Sequence, residues 1–232
     1  MKYKSLIIVP TRGRASRIGD TMDALLSQST TSDIVVAIDS DEADLYERYP
    51  GVEYDVGSAD GAVGMNPKFN AVSVRKMMDY DYMIFIADDV VPVTHGWDEL
   101  LVEAIVGVPM GISYPDDGIQ GGRLPSNGTC FDARIVRTLG FLSPPELPHL
   151  FCDNCWRAIG HGMRSLRYCD HVKVDHRHHS TGKSIWDSTY AITNERSSIH
   201  VASAAYRKWA NESLPGVLAL LKENLNDSYG AA

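Results

Sequence analysis

Tyr82-Met83-Ile84-Phe85-Ile86-Ala87-Asp88-Asp89-Val90 is the stretch that decides the fold. Six uncharged residues end abruptly on two adjacent carboxylates. An apolar run of this length fits a strand covered on both faces, and such strands belong to sheets flanked by helices. In an open α/β sheet the ligand crevice lies outside the carboxyl ends of the strands, where Asp88 and Asp89 fall. Successive residues of an extended chain point to opposite sides, so the two acids are expected to take different roles. One can ligate a hard divalent cation, Mg²⁺ or Mn²⁺, while the other accepts hydrogen bonds from a ribose or sugar hydroxyl.

The same pattern extends in both directions. Leu6–Val9 reads as a buried strand, Ile34–Ile38 as a second and Val52–Val56 as a third. Helical spacing marks Ser16–Leu26, Asp44–Tyr49, Pro67–Met78 and Trp97–Val106. Strands alternating with helices predict parallel pairing through right-handed crossovers, hence an α/β fold with a mostly parallel, doubly wound sheet. After about residue 108 the pattern changes, and Gly and Pro crowd Met110–Gly128 around short strands. Phe151–Ile159 reads as a helix, Leu166–Val174 as extended chain and Glu212–Leu225 as an amphipathic helix. With no repeat and no low-complexity linker, a single domain over residues 1–232 is expected.

Other strand ends converge on the edge that carries the aspartates. Pro10, Thr11, Arg12 and Arg14 follow the first strand, where backbone amides and guanidinium groups can hold a nucleotide and its phosphates. Asp39 closes the second strand and suits a base or ribose. Lys68 and Asn70 open a helix on the same side. No GxGxxG or P-loop pattern supports a dinucleotide or P-loop site.

In the second half, six of the eight histidines fall between His149 and His179. His176 sits near the end of an alternating segment, where an imidazole can complete a metal site. Residues 157–183 hold six basic side chains against two acidic ones, a local excess that suits a pyrophosphate leaving group or a solvated face. Asp153 is a lone acid among apolar and aromatic neighbours, a setting that fits either a general base of raised pKa or a helix N-cap. Cys152-x-x-Cys155 with Cys169-x-His171 has the residue types of a zinc site, so a zinc-stapled binding protein is a rival reading. Trp156 and Trp186 are candidates for an acceptor or sugar pocket, or for the core.

The chain has 232 residues, 44% of them hydrophobic, and 22 basic against 30 acidic side chains, a formal charge of −8. That balance excludes disorder and fibrous classes and argues against a dedicated nucleic-acid binder. Four cysteines are too few for a disulfide framework, and the apolar run near the amino terminus is too short for a signal peptide or a membrane span. A soluble, cytoplasmic protein is expected.

Taken together, IIVPTRGR, VVAIDSDE, GMNPKFNA and FIADDVVPVTHGWDELL resemble the nucleotide-sugar domain of GT-A glycosyltransferases, particularly family 2, over roughly residues 5–106. FCDNCW and the HRHH segment match more loosely. The resemblance implies a nucleotide-sugar half at 1–108 and an acceptor-side half at 109–232. It implies Asp88 and Asp89 as the metal and donor motif, Thr11, Arg12 and Asp39 as nucleoside contacts, and Asp153 as the base of an inverting reaction. It further implies His176 as a metal ligand, with His178 as second choice. The motif reads Ala-Asp-Asp rather than Asp-x-Asp, and Cys152 stands where an acid often precedes the base. The implied enzyme moves a hexose from a UDP- or GDP-type donor, with Mn²⁺ or Mg²⁺, to a hydroxyl of a protein, small molecule, glycan or modified DNA base. A nucleotidyltransferase shares such sheets, but its glycine-rich first loop with a nearby lysine is missing from Pro10–Arg14.

Overall fold

The computed structural model describes residues 3–62, 64–178, 182–183 and 196–230. Strands β1 (Ser5–Pro10), β2 (Asp33–Ile38), β3 (Val52–Val56) and β4 (Tyr82–Phe85) form a parallel block in the order β3-β2-β1-β4. Helices α1 (Gly19–Gln28) and α2 (Asn66–Lys76) lie within its crossovers. Side chains of β1 alternate between two cores. Leu6 and Ile8 join Phe69, Phe85 and Trp156 on one face, while Ile7 and Val9 join Ile84 and Trp97 on the other. This double burial is why the strand is apolar from Leu6 to Val9.

The second half is mixed. β7 (Thr129–Asp132) runs antiparallel to both β4 and β6 (Ile112–Asp116). β8 (Leu166–His176) pairs parallel with β6 and then antiparallel with β5 (Val90–Pro92), a short strand directly after the aspartates. A register shift between Pro115 and Asp116 marks the place where β8 leaves β6. Such irregularities re-aim a strand, and here the result sets Val90 opposite His176. The parallel sheet expected from the sequence is therefore the amino-terminal half of an eight-stranded mixed sheet.

Helices α3 (Trp97–Glu103), α4 (Arg134–Leu139), α5 (Cys152–Met163), α6 (Arg196–Glu212) and α7 (Leu214–Gly230) complete the layers. The tail is two helices where the spacing suggests one, because Trp209, Val217 and Leu221 are all drawn into the core cluster around Trp156. Asp44–Tyr49 is not the expected helix. A 3₁₀ turn covers Ser40–Leu45 instead, and Tyr46 turns inward so that its hydroxyl lies 3.1 Å from Thr11 Oγ1. Helix α1 starts three residues later than its spacing suggests, because residues 14–18 form a turn with Ile18 N donating to Arg14 O.

Candidate active site

The carboxyl ends of β1, β2 and β4 open into a cavity of about 950 Å³. Pro10, Thr11, Arg12, Arg14, Asp39, Lys68, Asp88, Asp89, His176 and His178 line it, so most of the residues singled out from the sequence meet in one place. The aspartate turn is pinned by backbone contacts: Thr21 Oγ1 donates to Asp88 O at 3.0 Å, and Arg177 N donates to Asp89 O at 2.9 Å. Asp88 and Asp89 sit in this turn rather than in extended chain, so both carboxylates reach one guanidinium. Arg14 Nη1 lies 2.6 Å from Asp88 Oδ1 and 3.0 Å from Asp89 Oδ2. Thr11 Oγ1 donates to Asp88 Oδ2 at 2.6 Å. Burial raises the Asp88 carboxyl to about 6, against the pull of Arg14.

A second cluster lies at the β2 end of the cavity. Asp39 Oδ2 lies 2.7 Å from Lys68 Nζ and 2.6 Å from Arg12 Nη1. Arg12 also forks onto Asp41 at 2.8 and 2.9 Å, while its own side chain is half exposed at the rim. Asn70 is elsewhere. Its amide donates to Ser143 O at 2.7 Å and its carbonyl accepts from Leu142 N and Ser143 N, so it ties down the proline-rich loop of residues 143–148 and does not line the cavity.

His176 reaches the aspartates because β8 pairs with β5. Its Nε2 stands 3.6 Å from Asp89 Oδ1, and its Nδ1 lies 3.1 Å from Asn127 Nδ2. Cis donors on one octahedral cation, each bonded at about 2.1 Å, lie about 3.0 Å apart, so Asp89 and His176 are near enough to share Mg²⁺ or Mn²⁺ after closing by a few tenths of an ångström. Among the described residues no cluster of three His, Cys, Asp or Glu surrounds one point. Two protein donors suit an ion whose remaining positions are filled by water and substrate phosphates.

Asp153 lies in the first turn of α5 and does not line the cavity, although His149 and Leu150 just before it do. Burial raises its carboxyl, opposed by a hydrogen bond from Asn154 N at 2.8 Å. Trp156 is core: its ring meets Phe85 and Phe131 at 5.3 and 5.1 Å, and its Nε1 donates to Leu142 O. Trp186 and His179 lie outside the described residues. The zinc staple fails on geometry, since Cys152 and Cys155 belong to the core on one face of the sheet and Cys169 to the core on the other. Burial pushes all three thiols up, as expected of inert structural cysteines. Nor do the six basic residues of 157–183 line the cavity. Lys173 pairs with Asp116, Arg177 with Asp20 and Lys183 with Asp175, and the cationic lining comes from Arg12, Arg14 and Lys68 instead.

The sequence reading overlooked Asn127 and His149. Asn127 carries no periodic signal and becomes meaningful only through its contact with His176. His149 belongs to the histidine-rich half but sits in a proline-rich loop. That loop closes on Gly64, where an added Cβ would lie 2.2 Å from Pro148 O and where φ is +90°. Only glycine permits both the backbone conformation and the approach. Burial, and then the nearby charge of Arg14, push the His149 imidazole down to about 4 from 6.5. Between those values the unfolded chain binds more protons, so stability falls as pH drops from about 6.5 towards 4, by at most about 3 kcal/mol from this group. His149→Phe is expected to lose that slope in urea unfolding at pH 7 and 4.5. Parallel pH profiles for the two proteins would contradict the assignment.

No protein-family model and no curated protein sequence matches the chain. Solved structures do. A mannosyltransferase from Pyrobaculum calidifontis, in complex with GDP-Man and Mn²⁺, is 12% identical at a TM-score of 0.58, over 100% of this chain and 76% of that one. Glucosyl-3-phosphoglycerate synthase from Mycobacterium tuberculosis, in complex with Mg²⁺ and uridine diphosphate, is 11% identical at 0.62, over 88% and 79%. The same enzyme with Mn²⁺, uridine diphosphate and glucosyl-3-phosphoglycerate gives 0.58 at 10% identity, over 88% and 80%. The mixed eight-stranded sheet flanked by helices has the GT-A fold of these structures.

Proposed function

We propose that the protein is a glycosyltransferase that takes a hexose from a nucleoside-diphosphate sugar and passes it, with inversion, to a hydroxyl acceptor. The observation that carries this reading is the convergence of Asp39, Lys68, Arg12, Asp88, Asp89 and His176 on one cavity at the strand ends. A volume of about 950 Å³ accommodates a nucleotide sugar. Asp39 and Lys68 face the nucleoside, and Asp88 accepts from donor hydroxyls. Arg12, held to Asp39 and Asp41 at the half-exposed rim, would exchange its Asp41 contact to reach the diphosphate. Asp89 and His176 would hold Mn²⁺ or Mg²⁺, which as a Lewis acid offsets charge on the departing diphosphate. Asp153, whose carboxyl burial raises and which follows Leu150 of the wall at the start of α5, receives the acceptor proton.

Thermal unfolding with UDP, GDP and their sugars, with and without Mn²⁺, tests the proposal. A ligand at about a hundred times its Kd stabilises by about 2.7 kcal/mol, or roughly 5–10 °C for a chain of this size. One nucleotide is expected to give such a shift and to need Mn²⁺ for it. No shift with any nucleotide would overturn the reading.

A further inference from the structure

Arg12 and Arg14 both follow β1, and the structure treats them differently. Arg12 is half exposed at the rim, while Arg14 is buried against Asp88, with Asp89 partly buried beside them. The Arg14 backbone is held as well: its N–H donates to the Tyr46 hydroxyl at 3.3 Å, and its carbonyl accepts from Arg17 N and Ile18 N. The guanidinium is thus a fixed positive charge beside the pair that the proposed function assigns to donor and metal. It keeps that charge at any ordinary pH, and burial leaves it poorly screened.

We propose that Arg14 acts as an internal counter-cation on the Asp88–Asp89 pair, opposing a divalent cation that arrives alone and admitting one that arrives with a nucleoside diphosphate. One guanidinium neutralises half of the paired negative charge. A bare divalent ion on Asp89 and His176 would turn the cluster net positive within a few ångströms of Arg14, which cannot withdraw. The anionic diphosphate restores the balance and supplies the missing ligands. Metal and donor therefore bind as a unit, and the metal site stays weak towards free Mn²⁺. This inference rests on the glycosyltransferase reading for the identity of the anion, but its first test does not.

Titration of Mn²⁺ alone, followed by electron paramagnetic resonance and calorimetry at pH 7.5, compares wild type with Arg14→Met and Arg14→Lys. Arg14→Met is expected to bind Mn²⁺ at least about tenfold more tightly than wild type, because the opposing charge is gone. Arg14→Lys keeps the charge and is expected to stay as weak as wild type. Adding UDP or GDP should then raise Mn²⁺ affinity by a larger factor in wild type than in Arg14→Met. Should Arg14→Met not fold, Arg14→Gln, which keeps a donor without the charge, gives the same comparison. Unchanged or weaker binding of Mn²⁺ alone in the uncharged variant overturns the counter-cation. Wild-type protein that ignores both nucleotides in saturating Mn²⁺ overturns the glycosyltransferase reading instead, and the metal-only comparison remains readable.

Discussion

Asp89→Ala is expected to abolish Mn²⁺-dependent binding of a nucleoside diphosphate while leaving the protein folded. The fold survives because Arg14 still has Asp88 at 2.6 Å, so no buried charge is orphaned by the change. Asp88 also keeps its bond from Thr11, and the turn keeps its backbone contacts to Thr21 and Arg177. The metal loses its only proposed carboxylate, and His176 alone is a poor ligand set for a hard cation. Several kcal/mol of leaving-group stabilisation go with it, about a 10³-fold loss in turnover. Calorimetry of a folded Asp89→Ala protein that still binds nucleotide in a Mn²⁺-dependent way would remove Asp89 from the metal site.

Asp153→Asn should behave in the opposite sense, sparing donor and metal but damaging transfer. The side chain lies outside the cavity lining, at the start of α5, so the isostere leaves the nucleotide cluster untouched. Loss of a positioned general base costs about 10²–10⁴ in rate. The expected pattern is an unchanged nucleotide affinity, a depressed kcat and a β-linked product from an α-linked donor, read from the anomeric proton. Near-normal turnover, or retained configuration, would reduce Asp153 to a buried first-turn residue of α5. The search would then move to Asp117, whose carboxylate currently organises its own loop by accepting from Ile119 N and Gln120 N.

The parallel block was legible because its signals are local. β1 and β4 are buried on both faces, so their runs are almost wholly apolar, and the first polar residues after them mark the carboxyl edge of the sheet. Asp39, Asp88 and Asp89 could therefore be placed at one rim by counting along the chain. The 3₁₀ turn at Ser40–Leu45 and the delayed start of α1 were not legible. In each, a side chain is pulled inward to a distant partner, Tyr46 to Thr11 and Arg14 to the aspartate pair. The zinc motif misled for a related reason, since spacing along the chain says nothing about which face of a sheet a cysteine occupies.

What the sequence determined by itself is the α/β alternation and the line of carboxylates along one sheet edge, since hydrophobic periodicity and strand termination depend only on near neighbours. The tertiary structure alone decided the rest. It set His176 beside Asp89 through the pairing of β5 with β8, and turned Arg14 onto both acids. It also took Asn70 out of the cavity, buried Trp156 and put His149 into the wall. Each of these joins residues dozens of positions apart, and only the closure of the sheet and the packing of its two cores specify that proximity.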